Sequence, residues 1–154
     1  MSDHQDKLSS MALTVFALNG RFLKIADQLA EPAGLTATRW QVLGAVLNEP
    51  LTQAEIARRM GITRQSVQRT STQLIEDRMI QFMPNPSHRK AMLLTPTDKG
   101  LEAIGKIGPQ HADYAKRLEA DLGKERMAQL SEALTELQLA LEAVDLQESD
   151  DPAN

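Results

Sequence analysis

The run T63-R-Q-S-V-Q-R-T-S-T-Q-L74 stands where the chain is due to form a helix, yet it holds three Thr and two Ser in twelve positions. Hydroxyl side chains compete for backbone hydrogen bonds and make weak helix formers. At about 100° per residue, Gln65, Gln68, Arg69 and Thr72 fall on one side of such a helix, with Arg64 at its edge. Val67, Thr70, Ser71 and Leu74 fall opposite. The outward set consists of side chains able to bond guanine, adenine and phosphate oxygens. No acid joins it before Glu76, although Glu is a favoured helix surface residue. This polar face is expected to meet DNA.

The residues just upstream give that helix a partner. T52-Q-A-E55 reads as a capping box, in which the Thr hydroxyl takes an orphan N–H and Glu55 reaches back. The short helix it opens buries Ile56, Ala57 and Met60, and Gly61 stops it. Thr63 caps the next helix at once, and small Ala57 lets the two cross closely while Ile62 and Val67 fill the angle. The spacing predicts a helix-turn-helix with its second helix, over about residues 63–77, offered to a major groove.

Further out, Met79–Met83 and Ala91–Thr95 have strand character around the polar loop N85-P-S-H-R-K90, a β-hairpin over about 80–95. Arg89 and Lys90 at its tip suit phosphate contact or a minor groove. T95-P-T-D98 then reads as a helix start, with Thr95 as cap and Pro96 at the first helical position. That helix carries Leu101, Ile104 and Ile107, and Pro109 is expected to kink or break it. Met127, Leu130, Leu134, Leu137, Leu141 and Val144 follow at alternating spacings of 3 and 4, a heptad seam that wants another helix. Upstream, Leu8, Met11, Ala12, Val15, Phe22, Ala26 and Leu29 mark an amphipathic helix over 8–30, closed by Pro32 and Gly34. A second helix from Thr36 or Thr38 carries Trp40, Val42, Leu43, Val46 and Leu47, and ends at Asn48-Glu49-Pro50.

The chain of 154 residues is expected to be one domain, or one domain with a long helical extension. It divides into an N-terminal helical region (1–34), a DNA-binding lobe (35–96), C-terminal dimerisation helices (97–147) and a disordered acidic tail (148–154). The fold class is mostly α with a small β-hairpin wing. Net charge is −4, but residues 36–100 hold nine Lys/Arg against five acids, a local +4 that leaves −8 for the ends. No run of about 18 apolar residues marks a transmembrane helix, and MSDHQDKLSS lacks a signal-peptide layout. A cytoplasmic location is the expectation. The absence of Cys excludes disulfides and thiolate sites, and His4, His88 and His111 lack ligand spacing, so no metal is expected. No phosphate loop or nucleophile motif suggests an enzyme or a cofactor.

The ordered set L35-T-A-T-R-W-Q-V-L43, L51-T-Q-A-E-I-A-R-R-M60, G61-I-T-R-Q-S-V67, the hairpin and L94-T-P-T-D-K-G100 resembles the MarR family of winged-helix regulators, over roughly residues 8–145. The resemblance implies a homodimer held by its first and last two helices, a pseudo-palindromic operator in double-stranded DNA, and a repressor released by a small aromatic ligand. Two half-sites would then lie about one DNA turn apart, ~34–36 Å. The family's wing commonly reads Asp-Pro-x-Asp-Arg-Arg; here Asn85, Pro86, Ser87, His88, Arg89 and Lys90 occupy those positions, so neither carboxylate is present and the tip is more positive. Thr70 and Ser71 replace apolar residues behind the recognition helix, where their hydroxyls can bond back to the preceding turn. Arg39 stands where Gln is common and is read as a phosphate contact.

The expected DNA-contacting set therefore comprises Arg39, Thr52 and Gln53, then Thr63, Arg64, Gln65, Ser66, Gln68, Arg69 and Thr72 of the recognition helix, and His88, Arg89 and Lys90 of the wing. The dimer interface is expected to use Leu8, Met11 and Val15 with Leu130, Leu134, Leu137, Leu141 and Val144. Phe16, Phe22, Trp40 and His111 are the candidates to line an effector pocket. The competing readings are a winged-helix module used for protein contact, and an architectural or RNA-binding dimer.

Overall fold

The computed structural model describes residues 1–149. The elements run α1 (Asp3–Ala30), a 3-10 turn (Glu31–Ala33), α2 (Ala37–Ala45), α3 (Gln53–Met60), α4 (Arg64–Glu76), β1 (Ile80–Met83), β2 (Leu93–Pro96), α5 (Asp98–Leu122) and α6 (Lys124–Ser149). Two compact units result, Met1–His111 and the chain from Ala112 onward. The winged-helix architecture expected from the sequence is the one observed: helices with a two-stranded antiparallel hairpin.

Local chemistry sets the helix starts. Thr36, Thr52 and Thr63 each accept from a backbone N–H three residues on, that of Arg39, Glu55 and Ser66. The box at Thr52 is complete, with Glu55 Oε2 accepting from the Thr52 N–H at 2.8 Å. A second capping box, Ser2 with Gln5, starts α1 five residues before its apolar periodicity begins. Asp27 of α1 accepts from the Ala37 N–H at 2.6 Å and so fastens the start of α2 to the first helix. Gly34 and Gly61 are left-handed at φ 72° and 64°, and each ends its helical segment there.

The core of the first unit is shared by all its layers. Val42, Leu43 and Val46 of α2 and its end meet Ile56 of α3, Val67 and Leu74 of α4, Ile80 and Leu94 of the hairpin, and Ile107 of α5, all fully buried. The hairpin pairs Ile80 with Pro96 through Met83 with Leu93. A single bridge from Leu51 to Leu94, bonded both ways at 3.2 and 2.7 Å, adds a third arm that the sequence pattern did not show. The start of α5 lies hard against the α4–β1 corner. Thr97 N–H bonds Met79 O at 3.0 Å, Lys99 Nζ bonds Asp77 O at 2.8 Å, and the Thr97 hydroxyl bonds Arg78 O. Arg78 takes a left-handed φ of 58° at this corner.

Three local expectations change. Thr95 and Pro96 belong to β2, paired with Gln81 and Ile80, so the cap of α5 is Thr97, whose hydroxyl accepts from Gly100 N–H at 3.1 Å. The helix does not break at Pro109: α5 is continuous through it. Proline removes only the bond to Gly105 O, and buried Ala103 and Ile107 hold the preceding turns in the core. The back-bonding hydroxyl in α4 is that of Thr72, to Gln68 O at 2.9 Å. Ser71 is fully buried and its Oγ has no partner among the described residues.

The second unit contains the end of α5 and α6, joined at Gly123 with φ 87°. Leu130, Leu134, Leu141 and Val144 of the seam are exposed in the single chain, while Met127 and Leu137 are half-buried. The tail expected over 148–154 lies, from residue 150 on, outside the described residues.

Candidate nucleic-acid interface

The burial of α4 divides it as the 100° rotation requires. Val67, Thr70, Ser71 and Leu74 are buried, and Arg64, Gln65, Gln68, Arg69 and Thr72 are exposed. Thr63 is the exposed cap at its start, with Ser66 N–H on its hydroxyl and the Ser66 side chain half-buried. Val67 and Ala57 of α3 belong to the same buried core, and Ile62 packs at its rim in the turn between the two helices. The helix is thus held from behind by apolar contacts and leaves its polar face free.

The wing turns on Asn85. Its Oδ1 accepts from Ser87 N–H at 3.0 Å and its carbonyl from His88 N–H at 3.3 Å, an Asx-type turn that a neutral amide makes as well as a carboxylate. His88, Arg89 and Lys90 then follow exposed on the return arm. Between this arm and the helix-turn-helix lies an open cleft of about 440 Å³. It is lined by Thr52, Gln53 and Ala54 at the start of α3, Arg64 of α4, Phe82 of β1, and His88, Lys90, Ala91 and Met92. Five residues expected to act together are brought together here: Thr52, Gln53, Arg64, His88 and Lys90. Phe82, 48% exposed, was hidden from sequence reasoning because an apolar residue within a strand reads as core.

Electrostatically the face is unopposed. None of Arg64, Arg69, Arg89 and Lys90 takes part in an ion pair among the described residues. Arg39 is placed otherwise. Its Nη1 bonds Asp77 Oδ2 at 3.0 Å and its Nε bonds Gln73 Oε1 at 3.3 Å. That guanidinium joins α2 to the C-terminal end of α4, the end remote from the cleft, and is not among the side chains gathered there.

Of the four aromatic candidates, Trp40 and His111 meet edge to face with ring centroids 5.5 Å apart. Phe16 and Phe22 are 70% and 57% exposed on α1. Among the described residues no group of three or more His, Cys, Asp or Glu side chains is placed to hold a metal, and no helix is long and apolar enough to cross a membrane.

Comparison with known proteins places this geometry. Residues 33–91 match the model of the MarR family. An uncharacterised protein of Mycobacterium tuberculosis is 30% identical over 138 residues, covering 90% of this chain and 96% of that one. The HTH-type transcriptional regulator TcaR of Staphylococcus aureus is 27% identical over 136 residues, covering 87% and 88%. Among solved structures, a mutant MarR from E. coli complexed with operator DNA superposes with a TM-score of 0.74 at 17% identity, over 88% of this chain and 99% of that one. The M. tuberculosis regulator MosR, in complex with DNA, gives 0.72 at 22% identity, over 86% and 96%. The fold is shared with these solved structures, and the relationship in sequence to the curated relatives runs nearly end to end: the chain belongs to the MarR family.

Proposed function

We propose that the protein is a sequence-specific, dimeric DNA-binding regulator of transcription, a repressor that acts in the cytoplasm on a pseudo-palindromic operator. The observation that carries this reading is the face formed by α4 and the wing. Gln65, Gln68, Arg69 and Thr72 are exposed on one side of a helix anchored from behind, and Arg64, His88 and Lys90 share the adjoining cleft. The α4 side chains are suited to base edges, and Arg64, Arg89 and Lys90 to phosphates. Thr52, Gln53, Thr63 and Ser66, at the starts of α3 and α4, complete the proposed contact set. That E. coli MarR has been solved with operator DNA and MosR with DNA, both sharing this fold, supports the DNA-binding part of the reading.

The dimer is the second part of the proposal. A single chain leaves Leu8, Met11 and Val15 of α1 exposed and, separately, Leu130, Leu134, Leu141 and Val144 of α6, two apolar stripes that a second copy would each help to cover. Two recognition helices about 34–36 Å apart would then read two half-sites. Release by a small aromatic ligand is carried by family membership, with Trp40 and His111 as the residues to examine first. No catalytic step belongs to this reading.

The test is binding of the purified protein to duplexes from its own promoter region, against random duplex, at two salt concentrations, with the mass of the complex measured. The expected result is a dimer whose specific affinity falls steeply with salt through counterion release. Absence of binding to any duplex at low salt would overturn the reading in favour of a protein-contact module.

A further inference from the structure

The His88 side chain takes no part in shaping the wing. Its backbone N–H closes the turn on Asn85, but its imidazole makes no hydrogen bond or ion pair among the described residues. It lines the cleft instead, and the charges that face it there are cations only. Arg64 comes from α4 and Lys90 from the return arm, with Arg89 next in the chain. The start of α3 presents Thr52, Gln53 and Ala54; its nearest carboxylate, Glu55, is engaged by the Thr52 N–H at 2.8 Å. β1 adds Phe82, and Ala91 and Met92 add no charge. From Pro84 to Met92 the wing loop contains no acid.

We propose that His88 is a proton-operated phosphate contact: DNA binding favours the charged form of its imidazole at each half-site, so that affinity falls as pH rises from 6 to 8. This rests on the DNA-binding reading above. A phosphodiester seated between α4 and the wing supplies the anion that this group of side chains lacks. An anion within a few ångströms of an imidazole favours its charged form, and imidazole is the side chain that changes charge near neutral pH. The sign follows. The complex prefers the protonated state, so binding is strongest at the acid end and is weakened as the imidazolium of the complex is titrated. A tenfold preference of bound phosphate for the charged form makes affinity about sixfold higher at pH 6 than at pH 8 for each half-site, and so about 36-fold higher for a dimer that engages both.

The experiment measures affinity for one duplex at pH 6 and pH 8, at constant ionic strength, for the wild type and for His88→Gln. The variant keeps a polar side chain and cannot titrate, while His4 and His111 remain as a common background. The expected result is a loss of about 36-fold for the wild-type dimer on its operator, about sixfold for each half-site, and a nearly flat profile in the variant. An equal pH dependence in both proteins overturns the proposal. Calorimetry of the wild type alone, in two buffers of different ionisation enthalpy, counts the protons taken up on binding and needs no variant. Zero uptake at pH 7 would likewise overturn it. Binding that is tight but independent of pH removes this inference alone, whereas no binding to any duplex at either pH removes the DNA-binding reading with it.

Discussion

Gly100 tests how closely α5 is set against the corner between α4 and β1. A Cβ built there lies 2.1 Å from the Met79 carbonyl oxygen, 3.0 Å from its carbon and 3.3 Å from Leu43 Cδ1. Two of the three atoms are backbone, so no rotamer relieves the clash, and Gly100→Ala must push the start of α5 away by about an ångström. The displacement strains the bond from Thr97 N–H to Met79 O and opens the packing on Leu43. Overpacking costs ~1–3 kcal/mol and a weakened hydrogen bond about 1 kcal/mol. Against this, replacing Gly within a helix gains about 1 kcal/mol. The clash wins, for a net loss of ~1–3 kcal/mol and a fall in Tm of roughly 3–9 °C for a chain of this size. Gly44 of α2 is the control, since a Cβ there meets nothing within 4 Å and Gly44→Ala should stabilise. Urea and thermal unfolding followed by circular dichroism, at one protein concentration, read both variants. If Gly100→Ala stabilises as Gly44→Ala does, the close approach is wrong.

The other expectations concern the two faces of α4 and what surrounds it. Ser71→Ala removes a buried hydroxyl without a partner and should stabilise by about 1 kcal/mol in the same unfolding assay; a loss of stability would show that the hydroxyl is bonded. Arg69→Ala should weaken binding to the operator by about 1–3 kcal/mol and to random duplex much less, and equal losses would remove its base-reading role. Arg89→Ala should lower affinity for all duplexes and flatten the salt slope by about one unit; an unchanged slope would mean that the wing does not touch phosphate. Arg39→Ala, which breaks a half-exposed ion pair with Asp77, should cost no more than ~1 kcal/mol of stability and leave the salt slope as it was. A flatter slope would restore Arg39 to the phosphate-contacting set.

What was legible in the sequence was what is encoded over three or four residues. The caps at Thr52 and Thr63 and the stop at Gly61 could be read directly, because capping depends on neighbours along the chain. The same logic applied to S2-D-H-Q5 would have found the true start of α1; the apolar spacing alone pointed to Leu8. The two faces of α4 followed from its rotation. What was hidden depends on elements crossing in space. A one-residue bridge such as Leu51 with Leu94 has no periodicity to detect. Arg39 reads as a free cation until α2 lies across α4 and brings Asp77 within 3.0 Å. Thr95 and Thr97 are both good caps by type, and only the pairing of Pro96 with Ile80 decides between them. The cleft follows the same rule: its charged members could be named in advance, but Phe82 and Met92 enter it only because of how the hairpin stands over α3 and α4.

The order of burial within the first unit has a consequence for the chain as it is made. The helix-turn-helix ends at Glu76, yet the core behind it is closed by Leu94 and Ile107, which lie further along the chain. A ribosome releases residues from the N-terminus onward, so α3 and α4 emerge, capped and ready to coil, while Val67 and Leu74 still lack part of their cover. About 30 further residues must leave the exit tunnel before the lobe can close. Until then the nascent protein carries its recognition surface on an unfinished support, and any chain that stops short of the hairpin exposes the apolar back of α4 to chaperones and proteases rather than its polar front to DNA.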